Sequence, residues 1–150
     1  MRTKIILFII SFITFNLTNA QNNIAVPKGA KEIIIKNELT KIENGEQLVN
    51  TLLENSYEIA DYNKELGTVK TSLKTHKSAS YYFYIRYSDN QIVLKGMFKP
   101  NYSISIGSVQ TEPTFYDIEN RGMKNSEMKE TFNRMLEFSN KLKSENVDYK

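Results

Sequence analysis

The chain has 150 residues, of which 20 are basic and 17 acidic, with one histidine and no cysteine. This length suits one domain with a single hydrophobic core. The lack of cysteine excludes disulfide bonds, and one histidine leaves too few nitrogen and sulfur ligands for a zinc site. The small net charge of +3 does not favour nucleic acid as a partner.

The first twenty residues have the three-part layout of a secretory signal peptide. A basic start is followed by an apolar run at 5–15 and by a polar exit that ends in small residues, with Thr18 and Ala20 at the −3 and −1 positions. We therefore predict a signal peptide over residues 1–20 and an exported protein, either periplasmic or secreted. Gln21 follows the predicted cleavage site, where a bacterial lipoprotein would carry a cysteine.

Retention of this segment as an uncleaved N-terminal anchor is the alternative, because its apolar run is only slightly shorter than a membrane span. No other stretch of the sequence is apolar enough for a transmembrane helix. We therefore expect no membrane-spanning segment once the signal peptide has been removed.

The first structural elements follow a polar leader. Residues 21–31 contain proline and glycine among polar side chains, a composition typical of a flexible leader. The β-branched run at 32–36 predicts a short strand. Apolar residues at helical spacing then predict a helix that begins at Glu46, after an N-cap at Asn44, and ends near Asn55.

Four strands come next in the sequence. Alternation over residues 57–62 and 68–73 predicts two strands joined as a hairpin. The two strongest strands are predicted at 81–87 and 92–98. Asp89-Asn90 lies between them and suits a tight turn, because both residue types tolerate a left-handed φ.

The C-terminal third is less regular. Residues 107–122 form the least regular region, and we expect Phe115 and Tyr116 within it to close one end of the core. A second amphipathic helix is predicted over 126–143. Residues 144–150 are polar, and we expect them to form a frayed tail.

These elements predict an α+β fold with the order β-α-β-β-β-β-α. Short connections between consecutive strands favour an antiparallel sheet of about five strands. Both amphipathic helices must bury their apolar stripes, and one face of that sheet is the partner available to them. We therefore predict a single domain over residues 32–143.

The element order is accompanied by a short string of residues around the first predicted hairpin: Tyr57, Asp61, Gly67-Thr68 and Thr71. In this combination the chain resembles small exported bacterial domains with a TATA-binding-protein-like or BamC-like fold, over most of residues 32–143. The resemblance implies a curved antiparallel sheet packed against helices. It also implies a role in binding other envelope proteins, and it implies no particular functional residue.

Few residues suit catalysis. The only histidine, His76, lies in a polar turn beside lysines, which is typical of an exposed residue. Two carboxylate pairs, Glu58 with Asp61 and Asp117 with Glu119, have the residue types of a general acid and base, but neither has the apolar surroundings that such catalysis needs. We expect a non-catalytic protein without cofactor or metal ion, and a small carboxylate-dependent hydrolase is the alternative.

Strand alternation assigns a distinctive set of side chains to the sheet face that points away from the helices. If Phe83 and Ile85 face the helices, their neighbours along the strand point outward. The outward side chains predicted to form a binding face are Lys70, Tyr82, Tyr84, Arg86, Lys95 and Met97. Tyrosine, methionine and arginine are favoured residues in protein interfaces.

Several interpretations of this face stay open. Tyrosines also stabilise exposed sheets by packing across strands, without any binding role. A protein or peptide is one possible partner, and an anionic glycan or lipid headgroup is another. Self-association of a homo-oligomeric structural protein through the same face is a further alternative. The function that we expect is that of an exported binding or envelope-associated accessory domain.

Overall fold

The computed structural model describes residues 25–106 and 109–150 of the chain. The predicted signal peptide lies outside the described residues, and so do the first residues of the predicted leader. In the part that is described, no helix is both long enough and apolar enough to cross a membrane.

A long antiparallel hairpin forms the centre of the fold. Strand β5 (Ala79–Ser88) pairs with β6 (Gln91–Pro100) over ten residues, from Ala79 opposite Pro100 to Ser88 opposite Gln91. The predicted turn at Asp89-Asn90 connects them, and Asn90 has a φ of 61°. Asparagine tolerates this left-handed conformation, which a two-residue hairpin turn needs.

Shorter strands extend the hairpin on both sides into one eight-stranded sheet. These strands are β1 Ile33–Lys36, β2 Ile59–Asn63, β3 Thr68–Thr71, β4 Lys74–His76, β9 Tyr116–Asp117 and β10 Asn146–Tyr149. The central path has the order β10-β1-β6-β5-β3-β2, while β4 also pairs with β5, and β9 with β6. All of these pairings are antiparallel. The five predicted strands are therefore present, and three further short strands join them.

A separate two-stranded hairpin, β7 (Ile104–Ile106) and β8 (Val109–Thr111), leaves the sheet after β6. Strand β8 lies within the stretch 107–122 that the sequence predicts to be irregular, and β7 lies just before that stretch. Strand alternation is hard to recognise in such short runs, because three residues hold less than two full periods.

Helix α1 (Lys41–Glu54) begins five residues before the predicted start at Glu46. Its N-cap is Thr40, whose side chain accepts a hydrogen bond from the Glu43 amide, while the Glu43 carboxylate accepts one from the Thr40 amide at 2.8 Å. This reciprocal pairing is a capping box, and it lowers the pKa of Glu43. The predicted cap at Asn44 is wrong: Asn44 is buried, and its side-chain amide donates to the Ser88 carbonyl at 2.8 Å.

Helix α2 (Glu127–Ser139) begins where the sequence predicts, after an N-cap at Ser126, but ends before residue 143. The chain tightens beyond Ser139, where the Leu142 amide donates to the Ser139 carbonyl at 3.1 Å. This short turn returns Leu142 to the core, in which it is buried. The helix was predicted to reach residue 143 because Leu142 continues its apolar pattern, although Leu142 lies in the turn that follows the helix.

Both helices pack on one face of the sheet, which confirms the predicted α+β architecture. Side chains from both helices and from the central strands form one buried cluster. Its fully buried helical members include Leu48, Leu52, Phe132 and Met135. Phe138 of α2, which lies against the rings of Tyr57 and Phe83, completes an aromatic centre.

The C-terminal residues form an edge strand instead of the predicted frayed tail. Strand β10 pairs with β1 from Lys36 opposite Asn146 to Ile33 opposite Tyr149. Beyond it, the carbonyl of Lys150 accepts hydrogen bonds from the amides of residues 31 and 32. The alternating Val147 and Tyr149 pack against the core, and this pattern was too short to be recognised as a strand in the sequence.

The described part of the predicted leader is also tied to the domain. The Gly29 amide donates to the Asn120 carbonyl at 2.9 Å, and Asn120 in turn donates its own amide to the Ala30 carbonyl. Ala30 is buried and belongs to the core cluster. The ordered domain therefore starts before residue 32, because contacts with the distant residue 120 fix the backbone there.

Removal of β10 tests its structural role. A chain that ends at Glu145 loses the ladder to β1 and the burial of Val147 and Tyr149, so we expect its Tm to fall by roughly 5–10 °C. Alanine at the preceding exposed positions 144 and 145 should leave the Tm unchanged. An unchanged Tm for the truncated chain would instead indicate a frayed tail.

The capping box allows a second stability test. Thr40→Ala removes the side-chain oxygen that caps the Glu43 amide, and we expect it to lower the free energy of unfolding by about 1 kcal/mol. Thr40→Ser keeps the hydroxyl and should restore most of this loss in urea denaturation. Equal losses in the two variants would show that the methyl group matters and the cap does not.

Candidate binding site

The outer face of the sheet, opposite the helices, carries the side chains that the alternation of β5 and β6 assigns to it. Phe83 is fully buried beneath the helices, whereas the adjacent Tyr84 is 40% exposed. Arg86 is exposed as well, and Lys95 and Met97 of β6 are half-buried on the same side. The structure therefore brings the predicted residues onto one surface.

Cross-strand register arranges this surface in rows. In the first row Lys70 of β3 lies opposite Tyr84, which in turn lies opposite Lys95 of β6. Acidic residues end this row on both sides: Asp61 is in register with Lys70, and Glu32 binds Lys95. The row therefore reads acid, lysine, tyrosine, lysine, acid across the sheet.

A second row lies beside the first, two residues away along β5 and β6. Tyr82 of β5 is opposite Met97 of β6, and Met97 is opposite Asp117 of β9. Arg86 belongs to a third row on the other side, between Thr68 and Val93. The first row thus has Tyr84 at its centre and charged residues on both sides, and the second row ends in a charge at Asp117.

These two rows border a cavity of about 380 Å³. This volume falls within the usual range for small-molecule sites. Its lining comprises Lys31, Glu32, Lys70, Tyr82, Tyr84, Lys95, Gly96, Met97 and Asp117. Five of the six predicted binding residues therefore line one cavity, and Arg86 is the one that does not.

The two tyrosines in the cavity have different surroundings. The ammonium group of Lys70 lies 4.6 Å from the ring centre of Tyr82, and Phe115 contacts the same ring with 5.4 Å between ring centres. Phe115 is itself covered by the Lys99 ammonium at 5.4 Å. Tyr82 thus has two partners in the fold, and Tyr84 is the more exposed of the two rings.

The prediction that Phe115 and Tyr116 close one end of the core is wrong. Phe115 is 40% exposed and lies on the outer face, and Tyr116 is 51% exposed. The core position of this segment belongs to the fully buried Ile118, whose amide donates to the Gly96 carbonyl at 2.9 Å. Because residues alternate, the burial of Ile118 turns Asp117 toward the cavity.

Gly96 makes this arrangement possible. A Cβ at position 96 would lie only 2.3 Å from Cδ1 of Ile118, so a larger residue would displace the Ile118 side chain. The absence of a side chain lets Ile118 pack directly on β6 and holds β9 beside Met97 and Phe98. The close packing of Ile118 on the inner face therefore places its neighbour Asp117 on the outer face.

Ion pairs occupy one end of the cavity. The Lys95 ammonium lies 2.5 Å from a carboxylate oxygen of Glu32, and the Lys31 ammonium lies 3.1 Å from oxygens of both Asp117 and Glu119. Hydrogen bonds that the Lys31 ammonium donates to the carboxylates of Glu119 and Asp117 raise the pKa of Lys31. The sequence does not indicate that Lys31, Glu32 and Asp117 belong to the cavity, because local pattern does not show which strands lie beside β6.

The residues considered for catalysis lie elsewhere or are paired. His76 contacts the Arg134 guanidinium at 2.9 Å and lies 3.6 Å from Glu130, away from the cavity. Asp117 and Glu119 both bind Lys31, while Glu58 and Asp61 are exposed. Within the described ranges, no group of three His, Asp or Glu side chains has a geometry that could hold a metal ion.

The sequence was also compared with known proteins. No family model matches the chain, and the search of curated proteins gives no match. The cavity on the outer face is therefore the feature from which a function can be inferred.

Proposed function

We propose that this chain is an exported, non-catalytic binding domain that contacts a protein or an anionic envelope ligand through its outer sheet face. The cavity bordered by Tyr82, Tyr84 and Met97 is the observation that carries this proposal. A concave site with an apolar centre and a few polar groups at its ends is the usual form of a ligand site.

The exposure of Tyr84 supports a binding role for this face. Its ring lies at the centre of the first row, with 40% of its surface exposed between Lys70 and Lys95. The core does not require a tyrosine here, because the inner face of β5 is filled by Phe83 and Ile85. An exposed aromatic residue beside a cavity is a typical anchor for a partner.

The charges in the cavity favour binding over acid–base catalysis. Its two carboxylates, Glu32 and Asp117, are each paired with a lysine. Each carboxylate is therefore already engaged by an ammonium group, whereas a general acid or base has to stand within hydrogen-bond reach of the reacting atom of a substrate. These groups are better suited to hydrogen bonding with a ligand than to proton transfer.

Export rests on the N-terminal segment. The predicted signal peptide supports a periplasmic or secreted location, and so does the resemblance to small exported bacterial domains. The absence of cysteine is compatible with either compartment, since the protein folds without disulfide bonds. A partner on the outer face would then belong to the cell envelope or its surroundings.

Site-specific photo-crosslinking in the source cells tests the proposed contact. We place p-benzoylphenylalanine, which reacts with carbon–hydrogen bonds of proteins, glycans and lipids alike, at position 84. A matched variant carries it at position 53 on α1, where Leu53 is 58% exposed on the helical side of the domain. We expect a light-dependent adduct of defined mass from position 84 and none from position 53.

Other outcomes contradict the proposal. No adduct from position 84, or equal adducts from both positions, would remove the outer face as a specific contact surface. An adduct that contains only a second copy of this chain would instead favour the homo-oligomeric alternative. The measurement is the mass of the adduct and the position of the crosslinked residue.

A further inference from the structure

We propose that the cavity on the outer face binds a short linear oligosaccharide that carries a carboxylate group. This inference deepens the proposed function and depends on it. Three features carry it: the direction of the cavity across the sheet, the donor and acceptor pairs at one end, and the lysine at the other.

The cavity crosses the strands and does not run along them. Its lining residues come from β3, β5 and β6 and from the segments beside β6 that hold Glu32 and Asp117. Three steps between neighbouring strands give a length of roughly 14 Å. An elongated site of this length suits a short chain of sugar rings better than a single ring or a free ion.

The backbone beneath the cavity has little to offer a peptide. At Tyr84 the strand β5 is paired with β3 on one side and with β6 on the other. The other edge of β6 is also occupied. Strand β1 pairs with it as far as Leu94, the Ile118 amide donates to the Gly96 carbonyl, and β9 pairs with Met97 and Phe98. Extended peptides are usually bound by a free strand edge, and their own amides would lack backbone partners here.

The polar end of the cavity matches the chemistry of hydroxyl groups. The pairs Glu32–Lys95 and Lys31–Asp117 each place a carboxylate acceptor beside an ammonium donor. A hydroxyl group both donates and accepts, so adjacent hydroxyls of a sugar can satisfy both members of such a pair. A simple anion would be repelled by the carboxylates at this end.

Lys70, at the opposite end, is available to an acidic substituent. Its ammonium group lies over the Tyr82 ring, and among the described residues no carboxylate lies within ion-pair distance of it. Asp61 is in register with Lys70 but forms no ion pair with it. A ligand carboxylate at this position would accept a charge-assisted hydrogen bond from Lys70. The sugar ring that carries the carboxylate would cover the exposed Tyr84.

A membrane surface fits this site less well. Adsorption to anionic lipids depends on clusters of unneutralised lysine and arginine. Two of the three lysines in the cavity, Lys31 and Lys95, are already bound to carboxylates. The mixed charge therefore favours a hydroxyl-rich ligand that carries a single acid at one end.

Binding of defined oligosaccharides tests this inference. The purified chain is titrated with linear trimers of galacturonate, mannuronate and guluronate, and with their carboxyl-reduced neutral counterparts, by calorimetry and NMR. We expect at least one acidic trimer to bind about tenfold more tightly than its neutral counterpart. The shifted resonances should be those of residues that line the cavity.

Variants assign the roles of the two ends. Lys70→Gln should weaken binding of the acidic trimer about tenfold, to the level of the neutral one, and leave the neutral trimer unaffected. Tyr84→Ala should weaken both. Lys64→Gln, an exposed lysine in the loop between β2 and β3, is the matched control and should change neither.

Several results would overturn the inference. These are no binding of any acidic trimer, equal binding of acidic and neutral trimers, or an unchanged preference in Lys70→Gln. Tighter binding of tetraglutamate or of phosphatidylglycerol vesicles at the same residues would assign the site to a peptide or a lipid surface. A specific adduct from position 84 without trimer binding would overturn the sugar ligand alone, whereas failure of both experiments would overturn the binding domain as well.

Discussion

The pairing of β5 with β6 is the constraint on which the rest of the structure depends. Ten consecutive residues of each strand are in register, and side chains alternate between the two faces of the sheet. A slip of one residue would move Phe83 outward and Tyr84 into the core. The helices therefore cover the side chains that point to one side of the two strands. The alternate side chains, which point to the other side, form the outer face.

The turn of this hairpin also fixes the start of the helical layer. The Asp89 carboxylate accepts a hydrogen bond from the Lys41 amide at 2.6 Å, and the Asn90 amide donates to the Leu39 carbonyl at 2.8 Å. Gly67 meets the end of β5, where a Cβ would lie 2.3 Å from the Tyr87 carbonyl oxygen, and its φ of +67° also favours glycine. The hairpin thus positions α1 at one end, while the outer face at its centre is left for the cavity.

Local pattern was sufficient to predict the two faces of the central strands and the existence of both helices. The outward positions of Tyr82, Tyr84 and Lys95 follow from a period of two, which needs no knowledge of neighbouring strands. The start of α1 was misplaced because Asn44 looks like a cap in sequence, although distant contacts with the Ser88 carbonyl bury it. Competition between two suitable caps is settled by tertiary contacts.

Non-local pairing explains what the sequence did not predict. Glu32 and Asp117 belong to the cavity only because β1 and β9 share one edge of β6. The outer face is therefore less cationic than the sequence indicates, since these acids neutralise two of its lysines. Hydrophobicity alone places Phe115 in the core, whereas the small size of Gly96 selects Ile118 for that position.

Urea unfolding of two neighbouring alanine variants tests the two-faced hairpin most directly. Phe83→Ala empties a fully buried position and should lower the free energy of unfolding by about 3–5 kcal/mol. Tyr84→Ala removes an exposed ring and should lower it by less than about 1 kcal/mol. A loss for Tyr84→Ala as large as that for Phe83→Ala would contradict the account, because it would place Tyr84 in the core and remove the binding face.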